Sequence, residues 1–376
     1  MSTNATTSVG WVPEPSGRGT IGLVWSCLST LFICVWTSLH LNCPRRGKGR
    51  FYYAFRKTKW MLLTTIVPEF AASVAVNDWV LARRTARECR EAGLANWTSA
   101  HAFLINMSGI RLVNNSCPRL GSKGACPREM FLYEAVTELH RKGLLPREVA
   151  ELTAEDIADR SKADGLVKTI AGVQTLWFIV QCVGRAAQGL HLTALEIATP
   201  GFVLCALVNY AMWYHKPLDV SRGVVGCYVC TRPDGPHAQM PRGDANDGLH
   251  LGYHAREPTG LITVLLFVAF GAVHCAAWNA DFPTPIEAQL WRIAAVLTTG
   301  LPLLFFMGLP FRLEQVPVDG WPRWMLKWLD VVLVIGGGLY AAARVYLVVE
   351  MFASLRVQPP DCYQSVEWAK FFPHIG

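Results

Sequence analysis

Charge is what this 376-residue chain has least of. Asp, Glu, Lys and Arg together make 17% of it, against 52% apolar residues, and the mean hydropathy is +0.25. A soluble protein of this length needs a more charged surface, so the composition points to a membrane-embedded domain. The 12 cysteines are scattered and lack the dense, regular spacing of a disulfide scaffold, which excludes a stapled secreted module. No RNA- or DNA-binding motif occurs. The net charge of +7 gathers beside apolar segments, which suits anionic lipid headgroups rather than nucleic acid. There is no internal repeat, which argues against the inverted halves of secondary transporters. A cleavable signal is also missing. The polar tail 1–19 leads into an apolar run that is too long for a signal core and has no small-residue cleavage site after it. That run is expected to be a retained anchor.

What is abundant is apolar sequence of spanning length. A span takes roughly 20 mainly apolar residues. About seven runs qualify, near 20–42, 60–82, 166–188, 192–214, 259–280, 288–310 and 328–352. The expected fold class is therefore all-α: an integral membrane helical bundle of about seven transmembrane helices with a small helical insert. The membrane domain runs over 20–352 and a C-terminal tail over 353–376. The second run is the most polar, since "VPEFAASVAVNDWV" carries Pro68, Glu69 and Asp78, and the third holds Gln174, Gln181 and Arg185. The insert 83–165 has helical apolar spacing broken by Pro146, and Thr153 followed by acidic residues is a capping signature, so two or three short helices are expected there. The stretch 215–258 is rich in Gly and Pro and reads as loop.

Basic residues set the orientation. "PRRGKGRFYYAFRKTKW" places a run of Lys and Arg between the first two apolar segments, predicting a cytosolic loop and a lumenal N-terminus. Two full crossings then put 83–165 in the lumen, which the sequons at Asn96, Asn106 and Asn114 would fit, as would an endoplasmic reticulum or other endomembrane location. Arg83, Arg84, Arg87 and Arg90 pull the other way. Either the second segment re-enters the cytosolic side or the insert ignores the charge rule.

Ionisable groups within apolar segments are costly and turn toward a bundle interior. Here they are Glu69, Asp78, Arg185, Glu196, His274, Arg292, Asp330, Arg344 and Glu350. Arg185, Arg292 and Glu350 sit near segment ends, where snorkelling to the interface accounts for them. Asp330 and Arg344 share a helix face but lie roughly 21 Å apart, with Gly337 midway in "IGGGLYAAAR", a stretch that reads as a close-packing seam. Glu196 draws most interest. Pro200 removes the hydrogen bond to the Glu196 carbonyl, so a carboxyl, a freed carbonyl, Thr193 and Thr199 make a polar pocket suited to a proton donor; the alternative is a structural Glu bonded to a neighbouring helix. Pro68 repeats that pattern beside Glu69. Glu69 and Asp78 would face opposite ways on a straight helix, so at most one joins Glu196, and His274 is a candidate base.

The loop "CYVCTRPDGPHAQMPRGDANDGLHLGYHA" offers Cys227, Cys230, His237, His250 and His254, but one C-x-x-C with uneven histidines is a poor tetrahedral set. No metal is expected. Aromatics gather at segment ends in "WYH", "WPRWMLKW" and "RFYYAF", as interfacial belts do.

The segments "GTIGLVWSCLSTLFICVWTSLHLN", "HAFLINMSGI", "QTLWFIVQC", "LEIATPGFVLCALVNYAMWYHKPLDV" and "YQSVEWAKFFPHIG" resemble a large family of filamentous-fungal multi-pass membrane proteins. They also resemble membrane-bound terpene cyclases of fungal meroterpenoid biosynthesis, of the kind that make ascofuranone-like compounds. The resemblance implies a lipophilic prenylated substrate reached from the bilayer, acid-triggered opening of a terminal epoxide, and ring closure without cofactor or metal. No catalytic motif transfers with it. Burial and spacing nominate Glu196 as the acid, Glu69 or Asp78 as a second carboxyl and His274 as base. A transporter and a non-catalytic membrane scaffold or sensor are the rival classes, and nothing in the sequence sets an oligomeric state.

Overall fold

The computed structural model describes residues 9–14, 18–43, 49–114, 129–130, 133–161, 165–220, 223–228, 259–312 and 323–368. The longer helices follow the apolar runs: α1 (Thr20–Ser38), α2 (Arg50–Ile66), α3 (Pro68–Glu91), α8 (Gly165–Ala187), α9 (Ala194–Met212), α10 (Thr259–Cys275), α11 (Pro285–Arg312) and α12 (Arg323–Ala353). Five of them are long and apolar enough to cross a membrane, in α1, α8, α9, α11 and α12, and the bent pair α2–α3 makes six if taken as one span. α10 is apolar but has only 17 residues. Large side chains such as Trp25 (71%) and Val334 (74%) stay exposed on these helices, as lipid-facing residues do.

α9 is the central post, touching α1, α3, α8, α10 and α12. Phe178, Phe270, Trp291 and Leu347 from the surrounding helices pack with its Phe202 in one core. Small residues let the helices approach: a Cβ on Gly271 would stand 2.8 Å from the backbone of Thr298, so α10 and α11 meet nearly backbone to backbone.

The expected second span is not continuous. Val67 leaves helical geometry (φ −133°, ψ 71°) and Pro68 opens a new helix at its first position, where a missing N–H costs nothing. The two helices bend by 109°. The first half of α3 is enclosed on all sides, with Ala71 to Asn77 all buried, whereas further on only Ala82, Thr85, Ala86 and Cys89 are buried, a one-faced spacing. α3 thus starts inside the bundle and leaves it to carry the insert.

The insert is not all-helical. α4 (Ser99–Asn106), α5 (Tyr133–Arg141), α6 (Arg147–Ala150) and α7 (Ala154–Arg160) accompany a three-stranded sheet in the order β2–β1–β3, from β1 (Ile110–Asn114), β2 (Glu129–Met130) and β3 (Val224–Tyr228). β1 pairs antiparallel with β2 and parallel with β3, so part of the stretch expected as loop is a strand. Thr153 caps α7 in a capping box with Asp156, as its sequence predicts. His101 in α4 is bonded to the Leu152 carbonyl at 2.8 Å, and burial holds its imidazole below the ordinary range.

Two sets of contacts define the ends of the bundle. At one, Val9 bridges Gln358 and the Tyr363 hydroxyl donates to the Gly10 carbonyl, so the segments around 9–10 and 358–363 meet. At the other, Cys43 N–H donates to Met107 in the insert, Arg56 donates to the Asn42 carbonyl, and Lys57 pairs with Asp219. The basic segment expected as a loop is the helix α2, and it shares that end with the insert.

Candidate functional site

The bundle gathers its ionisable side chains into three groups. The innermost forms at the α2–α3 break. With the helix interrupted, Phe70 N–H bonds to Val67, and the Ile66 carbonyl needs another donor. Arg344 of α12 supplies two, Nε at 3.0 Å and Nη2 at 2.6 Å. Its guanidinium also lies 4.5 Å from the Phe270 ring centre. Nη1 stands 3.3 Å from His274 Nε2. His274 Nδ1 lies 3.1 Å from the Phe270 carbonyl, so Nδ1–H donates there and the Nε2 lone pair accepts from Arg344, the neutral tautomer. Glu69, in the first turn of α3, completes the group. Its Oε1 accepts from the Tyr340 hydroxyl and lies 3.8 Å from Arg344 Nε. Its Oε2 is buried with no hydrogen-bond partner among the described residues.

Glu196 belongs to a second group, at the end where the 9–10 and 358–363 segments meet. Its Oε2 accepts from the Thr193 N–H at 3.1 Å and hydroxyl at 3.0 Å, closing a capping box over α9. Its Oε1 pairs with Arg18 and lies 3.8 Å from Arg185. Both oxygens are thus occupied, an arrangement that suits the structural Glu the sequence left open as the alternative to a proton donor. Pro200 does not open the helix: α9 runs through it. Arg185 does not snorkel. It is 1% exposed and donates to the carbonyls of Gln364, His191, Asp361 and Cys362, pinning the C-terminal segment. At the surface His191 pairs with Asp361 at 2.5 Å. That bond raises the His191 imidazole above its ordinary value despite some burial. Burial pushes the Asp361 carboxyl up, but the His191 bond and charge outweigh it and leave it lowered.

Asp78 forms the third group, accepting from Lys216 Nζ at 2.7 Å and Trp213 Nε1 at 3.0 Å. It faces away from Glu69, as the nine-residue spacing predicts, and serves the junction with the insert. The structure therefore joins Glu69 with His274 and separates both from Glu196 and Asp78. Among the remaining candidates, Glu350 is buried rather than extended to water, while Arg292 reaches the bundle end and donates to the Trp278 carbonyl at 3.0 Å. Of the glycine seam, Gly336 packs against Phe305, while around Gly337 and Gly338 a Cβ would meet nothing within 4 Å among the described residues. Cys227 is exposed, and Cys230, His237, His250 and His254 lie outside the described residues.

Tyr340 and Arg18 were not singled out by sequence. A tyrosine in an apolar run carries no charge to flag it. For Glu196 a signal existed: Thr193-x-x-Glu196 at the head of an apolar run is the capping-box pattern.

The chain belongs to a family of unknown function, DUF8562. The family model matches residues 1–226 and 254–375, which include every member of the three groups. It passes over 227–253, the stretch that holds Cys230, His237 and His250. No curated protein and no solved structure matches the chain.

Proposed function

We propose that the chain is a membrane-embedded enzyme that protonates a lipophilic substrate inside the bundle, with Glu69 as the acid. The observation that carries this is the unpartnered, fully buried Oε2 of Glu69, whose other oxygen is held by Tyr340 and faced by Arg344. A free oxygen can carry a proton and present it. With the epoxidised prenyl chain that the resemblance implies, the proton passes from the carboxyl to the epoxide oxygen, the C–O bond opens, and the chain's own double bond closes the ring. A proton lost from a neighbouring carbon returns to the carboxylate, which Tyr340 and Arg344 hold meanwhile. The net change is an isomerisation of the terpene-cyclase kind, needing no cofactor. Turnover of an epoxidised farnesyl-aryl substrate in membranes should fall by about 100-fold or more in Glu69→Gln. Undiminished turnover in Glu69→Gln would remove Glu69 from the role.

The broken α2–α3 pair favours a second reading, a transporter, because interrupted helices line ion sites in such proteins. Proton-coupled uptake into proteoliposomes, absent in Glu69→Gln, would move the assignment there.

For the membrane arrangement we infer six crossings, by α1, α8, α9, α10, α11 and α12, with α2–α3 re-entrant. An even number returns the chain to its starting side, in keeping with the Val9–Gln358 bridge. The basic helix α2 and the insert then share the cytosolic side, which removes the conflict over Arg83, Arg84, Arg87 and Arg90. Of the sequons, Asn106 already turns its amide nitrogen inward, buried beside Thr85. In endomembranes an acceptor site appended after residue 376 should be glycosylated and Asn96 should not; modification of Asn96 would overturn the arrangement.

A further inference from the structure

Three side chains of the inner group are sealed: Glu69, His274 and Arg344 each expose 0% of their surface. Tyr340 exposes 9%, and its hydroxyl bonds Glu69 directly. Tyr340 is therefore the member of the group with surface still exposed. Helical spacing fixes what lies next to it. Gly337 precedes Tyr340 by three residues and Arg344 by seven, so it lies on the same inward face, about 10 Å along the axis from Arg344. Among the described residues, a Cβ at Gly337 would meet no atom within 4 Å. One step back, Gly336 is closed off by Phe305 of α11; one step on, Gly338 is exposed on the outer face of α12.

We propose that the gap at Gly337 is a lateral opening from the bilayer to Glu69, with Tyr340 as the positioning residue at its inner end. Open glycines alone would mark nothing, but this one lies one turn from Tyr340, whose hydroxyl bonds a fully buried carboxyl with one oxygen unpartnered among the described residues. With only the one side chain missing at Gly337, such an opening would suit a slender apolar chain rather than a fused ring system. The Tyr340 hydroxyl is bonded to Glu69 and Arg344 to Ile66 and His274, so the free donor is the acid proton on Glu69 Oε2, and the reactive end of that chain is an acceptor such as an ether, epoxide or carbonyl oxygen. The proposal rests on Glu69 being the reacting group and adds the route and the shape of the substrate.

The test needs no turnover. Purified protein in phosphatidylcholine vesicles is photolysed with a small lipid-soluble aryl trifluoromethyl diazirine, and labelled residues are located by peptide mass spectrometry. Wild type should be labelled at Tyr340 or Glu69. In Gly337→Phe that labelling should be lost, while labelling of the outward Val334 persists and reports intact folding. Gly338→Phe should label as wild type. Nothing among the described residues lies within 4 Å of either Cβ, so both positions have room for a side chain to start. Wild-type labelling confined to outward residues, or labelling of Tyr340 and Glu69 that survives Gly337→Phe, overturns the route. Loss of cyclisation activity by Glu69→Gln reports on the acid alone, so the two ideas fail separately.

Discussion

Glu69 and Glu196 expose 0% and 2% of their surface, and each has an oxygen 3.8 Å from the Nε of a buried arginine. From there they part. Glu196 has two arginines and two capping donors on its two oxygens, in a group that ties α1, α8, α9 and the C-terminal segment together. Glu69 has a tyrosine and one arginine on a single oxygen, and that arginine is itself engaged with Ile66 and His274. Burial marks both residues as costly; only the tally of partners distinguishes an anchor from a group with capacity to spare.

The largest effect should come from Glu196→Gln. It keeps the shape of the capping box but leaves Arg18 and Arg185 without their anion, and breaking a buried pair costs about 3–5 kcal/mol. Thermal or denaturant unfolding in detergent should show that loss, or the variant should fail to accumulate. A loss below about 1 kcal/mol would mean that the arginines are satisfied by carbonyls alone and Glu196 is no anchor.

The matched change at Glu69 sharpens the contrast. If Glu69 holds a proton at rest, as an acid must, glutamine is nearly the same group and stability should fall by about 1 kcal/mol or less while turnover is lost. A destabilisation of about 3–5 kcal/mol would instead identify a second ionised pair and sink the acid role. Measured side by side, the two glutamine variants separate stability from chemistry.

Some of this was legible in the sequence. Because lipid demands length and hydropathy whatever the neighbours, apolar runs located the helices, though five or six rather than about seven are long and apolar enough to cross a membrane. Pro68 marked the break, but its local signal cannot tell a kink from a 109° turn; that depends on Arg344, 278 residues away, holding the Ile66 carbonyl. β1 and β3 are short, and their parallel pairing joins Ile110 to Val224, a distance no local pattern spans. Glu69, His274 and Arg344 each stood out as a charge or base in an apolar run, yet nothing in the sequence paired them. Arg185 was misjudged because its partners are backbone carbonyls, which every residue has.

The smallest effect tests the outer edge of the Glu196 group. His191 and Asp361 clasp the α8–α9 connection to the C-terminal segment at the surface. The Asp361 bond raises the His191 value above its ordinary 6.5, so this contribution is complete below pH 6.5 and is lost as pH rises through the raised value. Asp361 is lowered beneath its ordinary 3.8, so its contribution is complete above pH 3.8 and is lost as pH falls through the lowered value. Between those ordinary values both partners are charged. The His191 side chain is 58% exposed, so solvent screens the pair and it should contribute only about 0.2–1 kcal/mol. Wild type and His191→Gln, melted in parallel from about pH 5 to about pH 9, should differ most at the acidic end and converge as His191 loses its proton. A difference that grows with pH would show that the imidazole is held for its hydrogen bond and not for its charge, leaving Arg185 as the clasp of this end.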